Sequence, residues 1–440
     1  MRLGCRCRRC VAAVASLPTH RHRLRRCVRD VAGRAPQTGD GPMTTTMPSP
    51  RLLAVATPRW DDHLAHHGAL PLLSSEALIA EVGRAGLTGR GGAGFPVERK
   101  LAAVARSSAR HGRPVIIANG SEGEALSAKD AVLLTSSPHL VLDGLLACAA
   151  ALDARAVHLV VDEKVMPQMR RALDERPDAG YVELRAAAGG FVGGEASALV
   201  ASLRGGRPVP VDRRERLAVR GLHRAPTLVQ NVETLAAIGL IVRVGADHFR
   251  SVGTADEPGT RLVSVSGPSR SPVVFETVGG TPLRALLEAA EISDVNAVLV
   301  GGYHGAWVGQ SALDAPLSPT GLAPHGAAVG AGILHAIGSE HCGIAVTGDI
   351  LRVLADASAG QCGPCANGLP AVSHAWEALG SGVDTRAELS RLAGLVAGRG
   401  ACHHPDGSIR MMGSALRVFA DDAAAHARGL CFVRQGVDAR

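Results

Sequence analysis

The stretch Gly89-Arg90-Gly91-Gly92-Ala93-Gly94-Phe95-Pro96 is the most informative in the chain. Five of its eight residues are glycine or alanine, so the backbone can approach a ligand without side chains intervening. Its amide N–H groups can face an anion such as a phosphate, and Arg90 can add a charge-assisted contact. Written as Gly89-x-Gly91-x-x-Gly94 it matches the dinucleotide fingerprint, which needs a strand running in and a helix running out. Upstream, however, Leu78, Ile79 and Val82 fall at helical spacing between Glu76 and Arg84. A helix running in is the wrong context for a Rossmann turn. The pattern alone leaves two readings open, a generic tight turn and a backbone–ligand contact.

The charge balance of the 440 residues is uneven. Ten of the 47 Lys+Arg lie in residues 1–42, against two of the 40 Asp+Glu, so the basic excess belongs to the leader. The body is close to neutral and gives no support to nucleic-acid binding. The leader has no continuous apolar region before a cleavage site, so it does not read as a secretory signal. Residues 1–42 read as a disordered Arg/Cys-rich extension or a misassigned start, with Met43 the more natural beginning. Cys5, Cys7 and Cys10 have metal-ligand spacing there, yet arginines crowd them and no His/Cys pair follows, so chance in a biased tail is the blander reading.

No run of about eighteen apolar residues occurs, so no membrane span is expected. Ten cysteines without a secretory signal argue for a reducing compartment and for thiols as ligands rather than disulfides. Only Lys100, Lys129 and Lys164 are lysine in an Arg-biased chain, and a lysine kept there marks a place where a compact ammonium suits better than a planar fork.

Beyond the glycine loop, strand and helix patterns alternate. A β-branched run at 113–118 reads as a buried parallel strand and empties into Asn119-Gly-Ser121-Glu122-Gly-Glu124, a turn with two carboxylates. A buried helix over 138–152, a strand over 156–161 and a helix over 166–173 follow, with Cys148 and His158 read as core. A second cluster, Gly189-Gly-Phe-Val-Gly-Gly194-Glu195, opens a helix over 196–203, whose amino terminus offers N–H groups to anionic ligands. A third polar turn from Thr227 through Gln230, Asn231 and Thr234 precedes a helix over 235–241. This grammar predicts a doubly wound α/β sheet, with ligands at the carboxyl ends of its strands.

GRGGAGFP, ANGSEGE, GGFVGGEASALV and APTLVQNVETL, in that order, resemble the family of the flavin-bearing 51 kDa subunit of NADH:quinone oxidoreductase (respiratory complex I) and related diaphorase subunits. The resemblance covers about residues 75–430 and implies a Rossmann-like FMN-binding domain over 60–248. It further implies a small α+β ubiquitin-like (SLBB-type) domain over 250–335 and a helical iron–sulfur domain over 345–430. By the same resemblance, Gly89, Arg90, Gly91, Gly92, Ala93, Gly94, Phe95 and Lys100 wrap FMN. Asn119, Ser121, Glu122 and Glu124 line the flavin and nicotinamide region, with Glu124 as the catalytic candidate, and Gly194, Glu195, Gln230, Asn231 and Thr234 complete the cofactor set.

After residue 250 the pattern becomes β–β–α–β, with strands at 259–267, 273–278 and 298–300 and a helix over 282–291. Gly301-Gly-Tyr-His304-Gly305 falls where that module's last strand ends, with His304 and Trp307 read as loop residues. The C-terminal part reads as four helices, 350–357, 369–379, 386–396 and 409–427. Cys362-x-x-Cys365 lies between the first two and Cys402-His403-His404 between the last two, a ligand pattern for zinc or iron–sulfur. The family holds [4Fe-4S] here with four cysteines. This chain has Ala359 where the first is expected, leaving His403, His404 or Cys342 to complete the set, or one iron open, or a degenerate site. A second departure is Gly194-Glu195-Ala196, where a carboxylate expected toward NADH is missing.

The resemblance therefore implies an FMN-dependent electron-transfer subunit with a [4Fe-4S] cluster. NADH is its nicotinamide nucleotide, other electron-transfer subunits are its partners, and its location is cytoplasmic or peripheral to a membrane complex. Two rivals remain: exchange of electrons with a ferredoxin or partner reductase without NADH, and a non-catalytic assembly subunit.

Overall fold

The β-branched run after Pro114 forms strand β1 (Val115–Gly120) at the heart of a four-stranded sheet with β2 (Ala156–Val161), β3 (Val182–Ala186) and β4 (Thr227–Asn231). This computed structural model describes residues 51–211, 215–268 and 270–433. The leader, Met43 and the Cys5/Cys7/Cys10 spacing lie outside the described residues.

All pairings in this sheet are parallel, in the order β3-β2-β1-β4. Successive side chains of β1 enter two different cores. Ile116 and Ala118 pack with the helices Pro138–Ala151 and Val232–Arg250, while Val115 and Ile117 meet Leu199 and Val200 of the helix Ala196–Leu203. Both faces are thus covered, which is why β1 is apolar from Val115 to Ala118 instead of alternating. Burying each isoleucine stabilises by about 1.5–3 kcal/mol.

The segment from Thr227, expected as a polar turn, is instead β4. It lies beside β1 with Asn119 opposite Asn231, and its helix begins at Val232, not at 235. Gln230 and Asn231 are polar because they end a buried strand at the edge where a ligand is met, not because the chain turns there.

A second, mixed sheet follows, built of β5 (Thr260–Gly267), β6 (Arg270–Val278), β7 (Ala297–Val300), β8 (Ala306–Gly309) and β9 (Ile333–Ile337), in the order β6-β5-β9-β7-β8. The β5–β9 pair is parallel and the others antiparallel, with the helix Leu283–Ala289 between β6 and β7. Gly301–Gly305 therefore does not end the module's last strand. It is the turn between β7 and β8, and β9 comes later. Trp307 is core, not loop: its ring packs against Phe419 and its backbone N–H donates to Ser414 Oγ at 2.8 Å.

The C-terminal region has five helices where four were expected: Gly343–Asp356, Leu369–Gly380, Arg386–Val396, His404–Val418 and Ala420–His426. The last expected helix breaks at Phe419, whose ring packs so closely on Gly343 that no Cβ fits there. Among the described residues no single helix is long and apolar enough to cross a membrane.

Candidate functional site

Strand order changes direction at β1, since β2 lies on one side of it and β4 on the other. Beyond the carboxyl ends of β1 and β4 opens a cleft of about 1010 Å³. Parallel α/β sheets present their ligand sites at such a switch point. The glycine loop, the Asn119–Glu124 turn, the second glycine cluster and the segment 401–406 all contribute to its wall.

Gly91, Gly92 and Ala93 face the cleft. The base of their loop is closed by Gly89 N–H donating to the Phe95 carbonyl at 2.9 Å, while Gly92 (φ 110°) and Gly94 (φ 60°) take backbone conformations that suit glycine. Arg90 departs from expectation. Its guanidinium is buried away from the cleft against Glu257, which also meets Arg261 at 3.4 Å, so it makes no charge-assisted contact with a ligand phosphate. Its backbone N–H donates to Thr234 Oγ1 at 2.9 Å. Arg90 and Thr234 therefore fix the loop from behind.

Asn119 joins two of the motifs. Its Nδ2 donates to the Gly194 carbonyl at 2.8 Å, and its Oδ1 accepts the Ser121 N–H at 3.1 Å. Gly123 approaches the second cluster so closely that a Cβ would lie 2.5 Å from the Gly190 carbonyl oxygen. Glu122 accepts from Asp130 N and Ala131 N, both at 3.1 Å, and so caps the helix Lys129–Ser136. Glu124 accepts the Tyr303 N–H at 2.7 Å, and burial pushes its carboxyl up to about 8.

Glu195 caps its own helix, accepting from Ser197 N at 2.8 Å and Ala198 N at 3.1 Å. The N–H groups expected to serve an anionic ligand at that helix start are thus already engaged. Asn231 likewise caps the helix Val232–Arg250 through Glu233 N at 3.0 Å, and it donates to Asp130 Oδ2 at 2.6 Å. Lys100, Gln230 and Thr234 stand outside the cleft wall. The Lys100 ammonium donates to the Val229 carbonyl at 2.8 Å, and Gln230 Nε2 and Ser121 Oγ are buried with no hydrogen-bond partner among the described residues.

On the cleft wall, Lys129, His304 and His404 make contacts that their sequence spacing does not reveal. Lys129 Nζ bridges Asp130 at 2.6 Å and Glu233 at 2.9 Å in a buried triad, where burial pushes Asp130 up to about 6 against the pull of Lys129. His304 Nε2 lies 3.0 Å from His404 Nδ1, and His404 Nε2 lies 2.8 Å from the Leu354 carbonyl. Because that carbonyl can only accept, His404 donates to it and receives the His304 proton donor. Burial pushes His304 down to about 3, so both rings are neutral. Phe191 stands edge-on to His304 at 4.8 Å. The isolation of Lys129 in an Arg-rich chain and the Cys402-His403-His404 pattern were the sequence signals that pointed here.

Cys402 lies on the same wall, and Cys362 and Cys365 sit close enough to it to influence its titration and one another's. Burial works to raise the Cys362 thiol, but the N–H groups of Ala401 and Cys365 outweigh it and hold it below the ordinary value. Cys365 falls in a single π-helical turn, Pro364–Gly368, with Leu369 and Val396 around it. Of the candidates for a further ligand, Cys342 lies elsewhere, beside His426 and Cys431. Both ring nitrogens of His404 are engaged. The exposed His403, on the cleft wall, is left.

Two family descriptions match the chain. Residues 82–240 match the Nuo51 FMN-binding domain, and residues 345–426 match the NADH-ubiquinone oxidoreductase-F iron-sulfur binding region. The chain is 28% identical over 383 residues to the F 2 subunit of the NADH-quinone oxidoreductase of Rhizobium meliloti (strain 1021), covering 81% of this chain and 90% of that one. It is 28% identical over 381 residues to the F subunit of the NADH-quinone oxidoreductase of Escherichia coli (strain K12), covering 80% and 85%. Among solved structures it resembles a chain of the NAD+-reducing [NiFe]-hydrogenase in the air-oxidized state, with TM-score 0.73 and 30% identity over 80% of this chain. It spans 63% of that hydrogenase chain. With both matched regions in order and the cleft formed between them, the chain belongs to the F-type family of NADH-quinone oxidoreductase subunits, as a divergent member.

Proposed function

We propose that the chain is an FMN-dependent electron-transfer oxidoreductase subunit of the NADH dehydrogenase type, with the flavin site at the β1/β4 switch point and a [4Fe-4S] site at Cys362, Cys365 and Cys402. The observation that carries this is the shared cleft, whose wall holds the glycine loop at one part and Cys402 at another.

The residues present fit a flavin nucleotide. Ser121 Oγ is a buried polar atom on the cleft wall that lacks a partner among the described residues, and the loop at Gly91–Ala93 presents backbone rather than side chains. Gly91, Gly92, Ala93, Asn119, Ser121, Glu122, Gly194, Glu195 and Asn231 would hold it. Gly89, Arg90, Gly94, Phe95, Lys100, Gln230 and Thr234 support that set from outside the wall. FMN, when bound, supplies the link between two-electron and one-electron transfer.

Around it the chain's own groups have defined tasks. Glu124, protonated near neutrality, holds a proton at its carboxyl oxygen beside Tyr303 N. The neutral His304–His404 pair keeps charge away from the wall next to Cys402. Glu122, Glu195 and Asn231 hold three helix starts rigid, so the turns facing the ligand do not drift.

The three free cysteines fit an iron–sulfur group in chemistry, Cys362 and Cys365 stand in an apolar setting, and His403 is the available further ligand. A [4Fe-4S] cluster, when present, supplies one-electron transfer. The strand order of the second sheet supports a ubiquitin-like module over 250–335, between a flavin domain over 60–248 and a helical domain over 345–430. The partners are other electron-transfer subunits and the location is cytoplasmic, peripheral to a larger complex.

An anaerobic titration tests the proposal. Purified protein is expected to be yellow with about one FMN per chain, and NADH is expected to bleach it. Protein that neither carries FMN nor takes it up on reconstitution would sink the reading. Ala196, half-buried beside Glu195, favours a second reading, in which electrons are exchanged with a ferredoxin or partner reductase instead of NADH. Flavin that resists NADH but is reduced by a low-potential donor would select it.

A further inference from the structure

Away from the cleft, a second group of soft ligands comes together. Cys342 precedes the helix Gly343–Asp356, His426 ends the helix Ala420–His426, and Cys431 follows it after Gly429. The two sulfur atoms and one imidazole nitrogen all lie within 4.8 Å of one another. Cys342 Sγ is 3.2 Å from His426 Nε2. In a tetrahedral zinc site, with arms of about 2.3 Å to sulfur and about 2.0–2.1 Å to nitrogen, the sulfur–nitrogen edge is about 3.5 Å, so little movement is needed.

The surroundings fit the same purpose. His426 Nδ1 lies 3.2 Å from the Gly380 carbonyl. A carbonyl can only accept, so Nδ1 carries the proton and Nε2 turns its lone pair toward Cys342, the arrangement that orients histidines bound to metals. Cys342 Sγ lies within reach of Cys431 and of the N–H groups of Ile344 and Ala345 at the start of its helix; the Cys431 contact and burial outweigh those N–H groups and hold the free thiol well above its ordinary value. Asp422, one turn before His426 on the same helix, is half-buried and close enough to act electrostatically on both His426 and Cys431.

We propose that Cys342, His426 and Cys431 form a structural site for a divalent zinc ion, with the Asp422 carboxylate or a water as fourth ligand. A Cys342–Cys431 disulfide uses the same two sulfur atoms, but it gives no reason for His426 to aim Nε2 at Cys342 with its tautomer fixed by Gly380. The ligand set also clamps a unit. The matched iron–sulfur region spans residues 345–426, and the three ligands sit just before its start, at its last residue and just beyond its end. The metal would tie the two ends of the five-helix region together, separately from Cys362, Cys365 and Cys402. Binding releases the thiol protons, so occupancy falls in acid.

The test is metal analysis of the full-length protein, purified anaerobically with reductant, with zinc and iron measured together. About one zinc per chain is expected in the wild type. Cys431→Ser, half-exposed and mild, and His426→Gln are each expected to lower zinc about tenfold and leave iron unchanged. Cobalt added to zinc-stripped protein is expected to give the visible absorption of a tetrahedral thiolate site, lost in Cys431→Ser. Zinc content that does not respond to either substitution would overturn the proposal. So would its absence together with failure of cobalt to bind, or a Cys342–Cys431 disulfide found by mass in protein purified with reductant. Should Cys431→Ser fold poorly, cobalt titration of the wild type after carbamidomethylation of Cys431, located by peptide mapping, answers the same question.

Discussion

Glu124 reaches across from the flavin-domain turn and accepts the Tyr303 N–H at 2.7 Å, in the turn between β7 and β8. Gly302, with φ 83°, is glycine for the same reason, since a Cβ there would lie 2.5 Å from the Glu124 carboxylate.

The pH dependence of stability checks this contact. Burial raises the Glu124 carboxyl from 4.5 to about 8, so folding takes up a proton. The stabilisation is full below the ordinary carboxyl value and is lost as pH rises through about 8. Glu124→Gln remains a neutral acceptor for Tyr303 N. Between about pH 6 and pH 8.5 the wild type is expected to lose a few degrees of Tm more than the variant. Parallel Tm profiles would show that the carboxyl is ionised throughout.

Gly91 lies on the cleft wall, and a Cβ built there sits 3.3 Å from Asn231 Cβ. Valine adds two further methyl groups in the space between the loop and β4. Gly91→Val is expected to lower FMN content on the order of tenfold, a cost of about 1.4 kcal/mol, with the protein still folded. Flavin absorbance against circular dichroism decides it, and an unchanged stoichiometry in folded protein removes the loop from the flavin site.

Ala196 opens its helix beside Glu195, and a carboxylate in the first helical turn is tolerated by the dipole. Weak NADH:ferricyanide turnover is expected of the wild type, rising on the order of tenfold in Ala196→Glu as one hydrogen bond is restored. Vigorous turnover by the unmodified chain would show that this position does not limit NADH use.

On the proposed ligand set of Cys362, Cys365 and Cys402, one iron of a [4Fe-4S] cluster would take a weaker ligand. Substoichiometric iron is expected after aerobic purification, restored to about four irons per chain by anaerobic reconstitution. Cys362→Ser is expected to abolish this capacity, whereas Cys148→Ser, buried in the flavin-domain core, keeps it. Ala359→Cys is expected to slow loss of the cluster in air. If reconstituted wild type shows neither iron–sulfur absorbance nor an EPR signal on reduction, the thiols at 362, 365 and 402 hold no cluster.

What was legible in the sequence is what neighbouring residues decide. Strand β1 showed as an apolar run because both of its faces are covered, and the helix Ala196–Leu203 showed because glycines precede a largely apolar stretch broken only by two serines. What stayed hidden depends on contacts distant in sequence. Arg90 finds Glu257 across 167 residues, and His304 finds His404 across 100, so their roles follow from topology and not from spacing. Strand β9 pairs with β5 and β7 and with no sequence neighbour, so its five residues carry no local hairpin signal. The polar end of β4 resembled a turn because strand ends that serve a ligand look like loops in composition.

Gln361, immediately before Cys362, donates its side-chain amide to the Pro210 carbonyl at 2.6 Å, and Pro210 belongs to the cleft wall. One hydrogen bond therefore joins the wall of the cleft to the loop that carries the first cysteine. Two segments 151 residues apart in the chain thus share one direct fastening, so the cleft wall and the cysteine loop are parts of one framework.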